Sequence, residues 1–226
     1  MTPRLSPTLL ALGLALAAAG AARAEGAFAQ LYAARPPAGS SFVRIVNPES
    51  APMRAQVAGG PAQDIGPSKP ATTYAIVKGD QEFKVQVDGK PAGALQVAPD
   101  SFTTLVARRD GGKVTLARID DSGGAQDALK AELRFYNLIP GCAGAALKVS
   151  PQGPTLFDDI KPQTAAARAI NPVRASLAGA CGAAASAELA LPALQPGDHY
   201  SLFLGGTAAV PTLTGQVSAT DPYGNK

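Results

Sequence analysis

The sequence predicts an all-β protein built as two small β-sandwich domains in tandem, joined by a short linker. Three observations carry this. Apolar residues fall in short alternating runs, such as "FKVQV" at Phe83 and "KVTLARI" at Lys113, and period-two alternation over five to eight residues marks half-buried strands. The gaps between runs hold Gly, Pro, Asn or Asp, from a supply of 24 Gly and 20 Pro. Finally, several phrases recur about ninety residues apart, in order.

The chain opens with Met1 to Ala24: a basic residue at Arg4, an apolar run, then Ala22-Arg23-Ala24. A basic start, an apolar centre and an A-x-A end form a secretory signal peptide. Removing residues 1–24 leaves a mature chain of 202 residues with 18 basic and 17 acidic side chains. It has no second apolar run of spanning length, so no membrane span is expected in it. It also has no Lys/Arg cluster of the kind that neutralises a row of phosphates, which disfavours nucleic acid as a partner.

The N-terminal sandwich is assigned to 25–121. "LYAARPPAGS" (Leu31 to Ser40) leads in as an extended segment, and "FVRIVN" (Phe42 to Asn47) is the first core strand. "VDGKPAG" (Val87 to Gly93) places Asp-Gly between two runs, a hairpin signal because Gly tolerates the positive φ of a type I′ turn. The polar "DDSGG" (Asp120 to Gly124) opens the linker, 122–130. The one helical candidate, "AQDALKAEL", spans Ala125 to Leu133. The C-terminal sandwich is assigned to 131–226 and begins with "LRFYNL" (Leu133 to Leu138).

The repeat aligns Arg44 with Arg134, Ile65 with Ile160, Pro99 with Pro196 and Phe102 with Tyr200. The offset grows from 90 to 98, as loop insertions in a second copy would produce. Alternation then turns Val43 and Ile45, and likewise Leu133 and Phe135, into the sandwich cores. Tyr136 and Leu138 face the other way, toward the partner domain or another protein.

Cys142 and Cys181 are the only cysteines. In an exported chain two cysteines read first as one disulfide. The alternative is a metal pair, but a closed zinc site wants about four N or S ligands, and His199 is the only histidine. Each cysteine follows a strand of the same domain, so the two can meet at one end of a sandwich.

Catalytic signals are weak. Acyl transfer to a sugar hydroxyl commonly uses a Ser nucleophile, a His base and an Asp that orients it. "PDSF" (Pro99 to Phe102) lacks a preceding Gly, and "GDHY" (Gly197 to Tyr200) sets Asp198 and His199 side by side. Neighbours on a strand point to opposite faces, so Asp198 cannot orient His199, which is expected in the turn before the closing strand. Asp158-Asp159 reads as a solvated turn rather than a glycosidase pair. With no Trp, a dedicated stacking platform for sugars is disfavoured. No catalytic residue, metal site or cofactor is assigned.

"QLYAARPPAGSSFVRIVNP" (Gln30 to Pro48) resembles the start of the mature AlgF proteins, periplasmic alginate O-acetylation factors. "LRFYNL" at Leu133, "INPV" at Ile170 and "YSLFL" at Tyr200 resemble later landmarks of that family, in order. Cys142 and Cys181 are a departure from its pattern. The resemblance implies a periplasmic, non-enzymatic adaptor required for O-acetylation of an exopolysaccharide, alginate or a related polymer such as cellulose. Its partners would be the acetyltransferase proteins of that pathway, with at most weak polysaccharide contact. The alternatives are an acetyl carrier or transferase component itself, or a polysaccharide-binding module.

Overall fold

The computed structural model describes residues 35–124, 127 and 129–223. The signal peptide at 1–24 and part of the extended lead-in segment lie outside them. Residues Pro37–Asp221 form one compact unit.

Among the described residues there are seventeen strands. The first half supplies β1 (Ser40–Val46), β2 (Met53–Val57), β3 (Gln63–Ile65), β4 (Ala75–Lys78), β5 (Phe83–Val87), β6 (Lys90–Leu95), β7 (Phe102–Asp110) and β8 (Lys113–Asp120). The second supplies β9 (Ala131–Asn137), β10 (Ala145–Ser150), β11 (Thr155–Ile160), β12 (Thr164–Ile170), β13 (Ser176–Cys181), β14 (Ala184–Ala185), β15 (Leu189–Ala190), β16 (His199–Gly206) and β17 (Pro211–Val217). They pair into four sheets, two from each half, giving an all-β protein of two sandwiches. The first half has orders β4-β1-β7-β8 and β3-β2-β5-β6, and the second has β12-β9-β16-β17 and β11-β10-β13-β14, with β15 also on β13.

Strand for strand the two orders are the same. Each half also pairs its first strand in parallel with its penultimate one, β1 with β7 and β9 with β16. The registers sharpen the repeat. Arg44 lies opposite Thr104 and Arg134 opposite Ser201, so Phe102 matches His199 rather than Tyr200. The asparagines that end the two opening strands do the same work. Asn47 donates to the carbonyls of Ala51 and Ile65 and accepts the Glu49 N–H. Asn137 donates to the carbonyls of Cys142 and Ile160 and accepts the Ile139 N–H. Each carboxamide satisfies backbone groups that a buried strand end would otherwise leave unpaired.

Turn chemistry follows the sequence. Asp88-Gly89 joins β5 to β6 as a two-residue loop with both φ positive, the type I′ geometry that matches strand twist. Gly111-Gly112 does the same between β7 and β8.

Alternation fills three cores. Val43 and Ile45 pack with Val85, Leu105 and others inside the first sandwich. Leu133 and Phe135 pack with Leu147, Leu177 and Leu202 inside the second. The third core lies between the sandwiches, where Val46, Val106 and Ile119 meet Tyr136, Leu138 and Phe203. The two sandwiches are therefore not independent bodies. Each leaves one face apolar, and the other sandwich buries it.

The helical candidate is corrected in part. Ala131, Glu132 and Leu133 begin β9, and Ala125, Gln126 and Ala128 lie outside the described residues. The β9 strand is flanked by β12 and β16 on its two edges, and that pairing with core burial outweighs the mild helix preference of "ALKAEL".

Candidate functional site: a clasp and a cleft between the sandwiches

Arg44 is fully buried between the halves. It sits on the outward face of β1, opposite the core face of Val43 and Ile45. A buried guanidinium costs several kcal/mol unless its donors are met and its charge balanced. Here Nε donates to Thr104 Oγ1 at 2.9 Å, Nη1 to Ser218 Oγ at 3.0 Å, and Nη2 to Tyr136 Oη at 2.6 Å and Ser201 Oγ at 2.9 Å. Its Cζ lies 4.5 Å from the Tyr74 ring centre, with Phe203 at 5.2 Å and Tyr136 at 5.4 Å, within reach of cation–π attraction.

The balancing charge is Asp121, 4% exposed. Its carboxylate accepts from Tyr74 Oη and Tyr136 Oη, each at 2.8 Å, and from Thr104 Oγ1. Burial works against the charge on Arg44, but the phenol oxygens of Tyr136 and Tyr74 and the Asp121 carboxylate outweigh it, holding its pKa above the ordinary value. Burial pushes the Tyr74 and Tyr136 phenols up as well, so both remain neutral donors. Arg44, Tyr74, Thr104 and Asp121 come from the first half, and Tyr136, Ser201, Phe203 and Ser218 from the second. The network clasps one sandwich to the other. Backbone pairing reinforces it: Tyr74 N–H donates to Ala219 and Asp221 N–H donates to Tyr74, both at 2.8 Å.

Beside the clasp a cleft of about 510 Å³ opens between the sandwiches. Phe102, Lys130, Glu132, Arg134, Asp198 and His199 line its walls, and Ser201 and Ser218 join it to the clasp. Glu132 and His199 are opposite each other on the parallel strands β9 and β16. The Glu132 carboxylate, 4% exposed, approaches His199 Nδ1 at 3.4 Å and accepts from Arg134 Nη2 at 3.1 Å. Arg134 Nη2 also donates to the Gly123 carbonyl at 2.6 Å.

The sequence-marked residues distribute as follows. His199 is the first residue of β16, not part of the preceding turn. Its carboxylate neighbour is Glu132, while Asp198 caps the Gln195 N–H at 2.7 Å. Ser101 donates to the Ala98 carbonyl and Asp100 accepts the Gly39 N–H, so "PDSF" serves a turn. Asp158 and Asp159 are exposed on β11, and Asp159 pairs with Lys161. Cys142 and Cys181 are bonded, with Cα atoms 5.7 Å apart. Among the described residues, no group of three or more His, Cys, Asp or Glu could hold a metal, and no helix is long and apolar enough to cross a membrane. The clasp escaped sequence reading. Its one signal was an arginine set among apolar residues in a strand buried on both faces.

A family model described as "Alginate O-acetyl transferase AlgF" matches residues 11–201. The chain belongs to the AlgF family. It is 32% identical over 216 residues to the alginate biosynthesis protein AlgF of Pseudomonas aeruginosa, covering 92% of this chain and 91% of that protein. It is 28% identical over 198 residues to AlgF of Pseudomonas putida, covering 88% and 87%. A solved structure of the C-terminal domain of AlgF from P. aeruginosa matches at 26% identity and a TM-score of 0.35, covering 39% of this chain and 98% of that one. The description of the family model makes this a family of alginate O-acetylation.

Proposed function

We propose that this AlgF-family chain is a non-catalytic periplasmic adaptor that links acetyltransferase components during O-acetylation of an exopolysaccharide, alginate or a related polymer such as cellulose. Export follows from the signal peptide read at 1–24 and agrees with the bonded cysteines. One observation carries the adaptor reading over the acetyl-carrier alternative. Ser201 and Ser218, which line the cleft with His199, have their hydroxyls turned to the Arg44 guanidinium and to each other. A nucleophile needs a proton acceptor, and a guanidinium only donates. The polar centre of the molecule is thus spent on joining two sandwiches into one body, and such a body suits a protein that holds others in register.

The test uses purified mature protein. It captures the acetyltransferase of its pathway in a pull-down, and alone it neither takes an acetyl group from a donor nor passes one to saccharide. Acetyl transfer by the isolated protein that disappears in Ser218→Ala or His199→Ala overturns the reading.

A further inference from the structure

The four sheets are open, and an open sheet ends in edge strands whose outer N–H and C=O groups can pair with another chain. Proteins keep such edges short, charged, bulged or covered. Among the described strands, every edge but one carries such a guard. β3 has three residues, β4 has four, and β14 and β15 have two each. β6 begins Lys90-Pro91, and its ladder to β5 slips at Val85 and Gln86. β8 bears Lys113, Arg118 and Asp120, β11 bears Asp158-Asp159, and β12 bears Arg168. The exception is β17, seven residues reading PTLTGQV, with no charge. Its register to β16 runs without a slip, and its one proline stands at the first position, where a strand tolerates it.

The hydrogen bonds show which groups of β17 face outward. Thr207 and Val210 exchange two backbone bonds, and the Ser218 N–H donates to His199. In an antiparallel ladder this parity turns the backbone of Thr212, Thr214 and Gln216 toward β16, and that of Leu213, Gly215 and Val217 outward. Among the described residues, no hydrogen bond reaches those outward groups. Val210 and Val217, 69% and 47% exposed, bracket the strand and are two of the five exposed large hydrophobic residues described. Two residues further on, the same edge is already in use. The Ala219 carbonyl and the Asp221 N–H both pair with Tyr74, a parallel bridge from one sandwich to the other. Beyond Val217 the edge has its neighbouring strand, and before it the edge has none.

We infer that β17 is a docking edge that takes up one extended strand of an acetyltransferase partner by strand addition. The incoming strand is uncharged over about five residues, with apolar side chains at alternate positions to meet Val210 and Val217. A charged side chain placed there would lose water with no opposite charge on β17 to receive it. The outward N–H and C=O groups of Leu213, Gly215 and Val217 fix the register of that strand, and the valines select its composition. The edge is also held ready. Ser218 Oγ accepts from Arg44 and Ala219 pairs with Tyr74, so the end of β17 is tied to both sandwiches, and a pre-organised edge loses little freedom on binding. The inference rests on the adaptor reading above and adds to it the docking face and the kind of segment that docks.

The test is amide hydrogen exchange, read by NMR on the mature protein alone and with the purified acetyltransferase of its pathway. Alone, Leu213, Gly215 and Val217 exchange fast, and Thr212, Thr214 and Gln216, bonded to β16, exchange slowly. With the acetyltransferase bound, the three fast amides slow about tenfold or more, and the outward amides of β8 and β12 do not change. Thr212→Lys and Val217→Lys, both at exposed positions, add the guard that other edges carry. Each weakens acetyltransferase binding about tenfold, or about 1.4 kcal/mol. Thr155→Lys, on the β11 edge, leaves it unchanged, and all three variants keep the wild-type melting temperature. Full binding by both β17 variants, or protection that appears only at another edge, overturns the inference and leaves the adaptor reading standing. A wild-type protein that captures no acetyltransferase overturns the adaptor reading and the partner named here with it. Protection of β17 that grows with protein concentration, without any acetyltransferase, makes the edge an interface between two copies of this chain and also overturns the inference.

Discussion

Arg44 and Asp121 are joined through two shared hydroxyls, each accepting from the arginine and donating to the aspartate. Thr104 Oγ1 and Tyr136 Oη are those relays. Arg44, Thr104 and Asp121 all belong to the first sandwich, so the Thr104 relay is complete within it, whereas the Tyr136 relay comes from the second sandwich and closes only when the two are in contact.

Breaking this pair from one side is expected to be costly. Arg44→Met leaves Asp121 buried without its cation, and removing one partner of a buried pair costs about 3–5 kcal/mol. Urea unfolding measures the loss. Adding Asp121→Asn removes the stranded charge, so the double variant is less destabilised than the sum of the two single changes. Strict additivity would show that the two residues are not coupled.

Alkaline pH should loosen the molecule. Burial raises the folded-state pKa of Tyr74, Tyr136 and Tyr200 above the ordinary phenol value. Below about pH 10 both folded and unfolded chains keep these protons, and the stabilisation is fully present. Above it the unfolded chain releases them first, so stability falls as pH rises. Tyrosinate absorbance followed against pH should therefore rise together with loss of tertiary signal. A smooth rise at about pH 10 in a chain that stays folded contradicts this.

The disulfide closes a loop with a sequence separation of 39. The chain-entropy model assigns such a loop about 4 kcal/mol of stabilisation. Cys142→Ser/Cys181→Ser is expected to lower the melting temperature, acting first on the second sandwich. Mass spectrometry of the exported protein should find one cystine and no free thiol.

We expect limited proteolysis to cut first within 122–130, the segment read as the linker. The fragments should stay associated after cutting, because Val46, Val106, Tyr136 and Phe203 bury one another. Halves expressed separately should recombine when mixed, and Arg44→Met should weaken that recombination. Fragments that separate freely on a sizing column would refute a shared core.

Much of the fold was legible because it rests on local chemistry. The alternation of Val43 and Ile45 against Arg44 and Val46 names both faces of β1, and Asp88-Gly89 specifies the hairpin of β5 and β6. Tyr136 and Leu138 showed a second apolar face whose cover only the structure identifies. The clasp was not legible for a physical reason. Its members stand at positions 44, 74, 104, 121, 136, 201 and 218, and no local pattern links them. The cleft failed in the same way. Adjacent Asp198 and His199 suggested a pair that strand geometry forbids, while the true neighbour of His199 is Glu132, 67 positions earlier and on the next strand. The helical reading of "AQDALKAEL" weighed propensity without the flanking strands that claim its last residues.

The third core carries one more consequence. Val46 and Val106 on one side are the register equivalents of Tyr136 and Phe203 on the other. The same patch of each copy thus faces its counterpart, the arrangement of an isologous two-fold dimer. Two separate chains meeting through this patch would be bound by symmetry to use both arginines alike. Fusion into one polypeptide lifts that constraint. Arg44 is sealed inside as a structural bolt, while its twin Arg134 stays at the rim of an open cleft. The covalent link lets two equivalent positions hold different occupations.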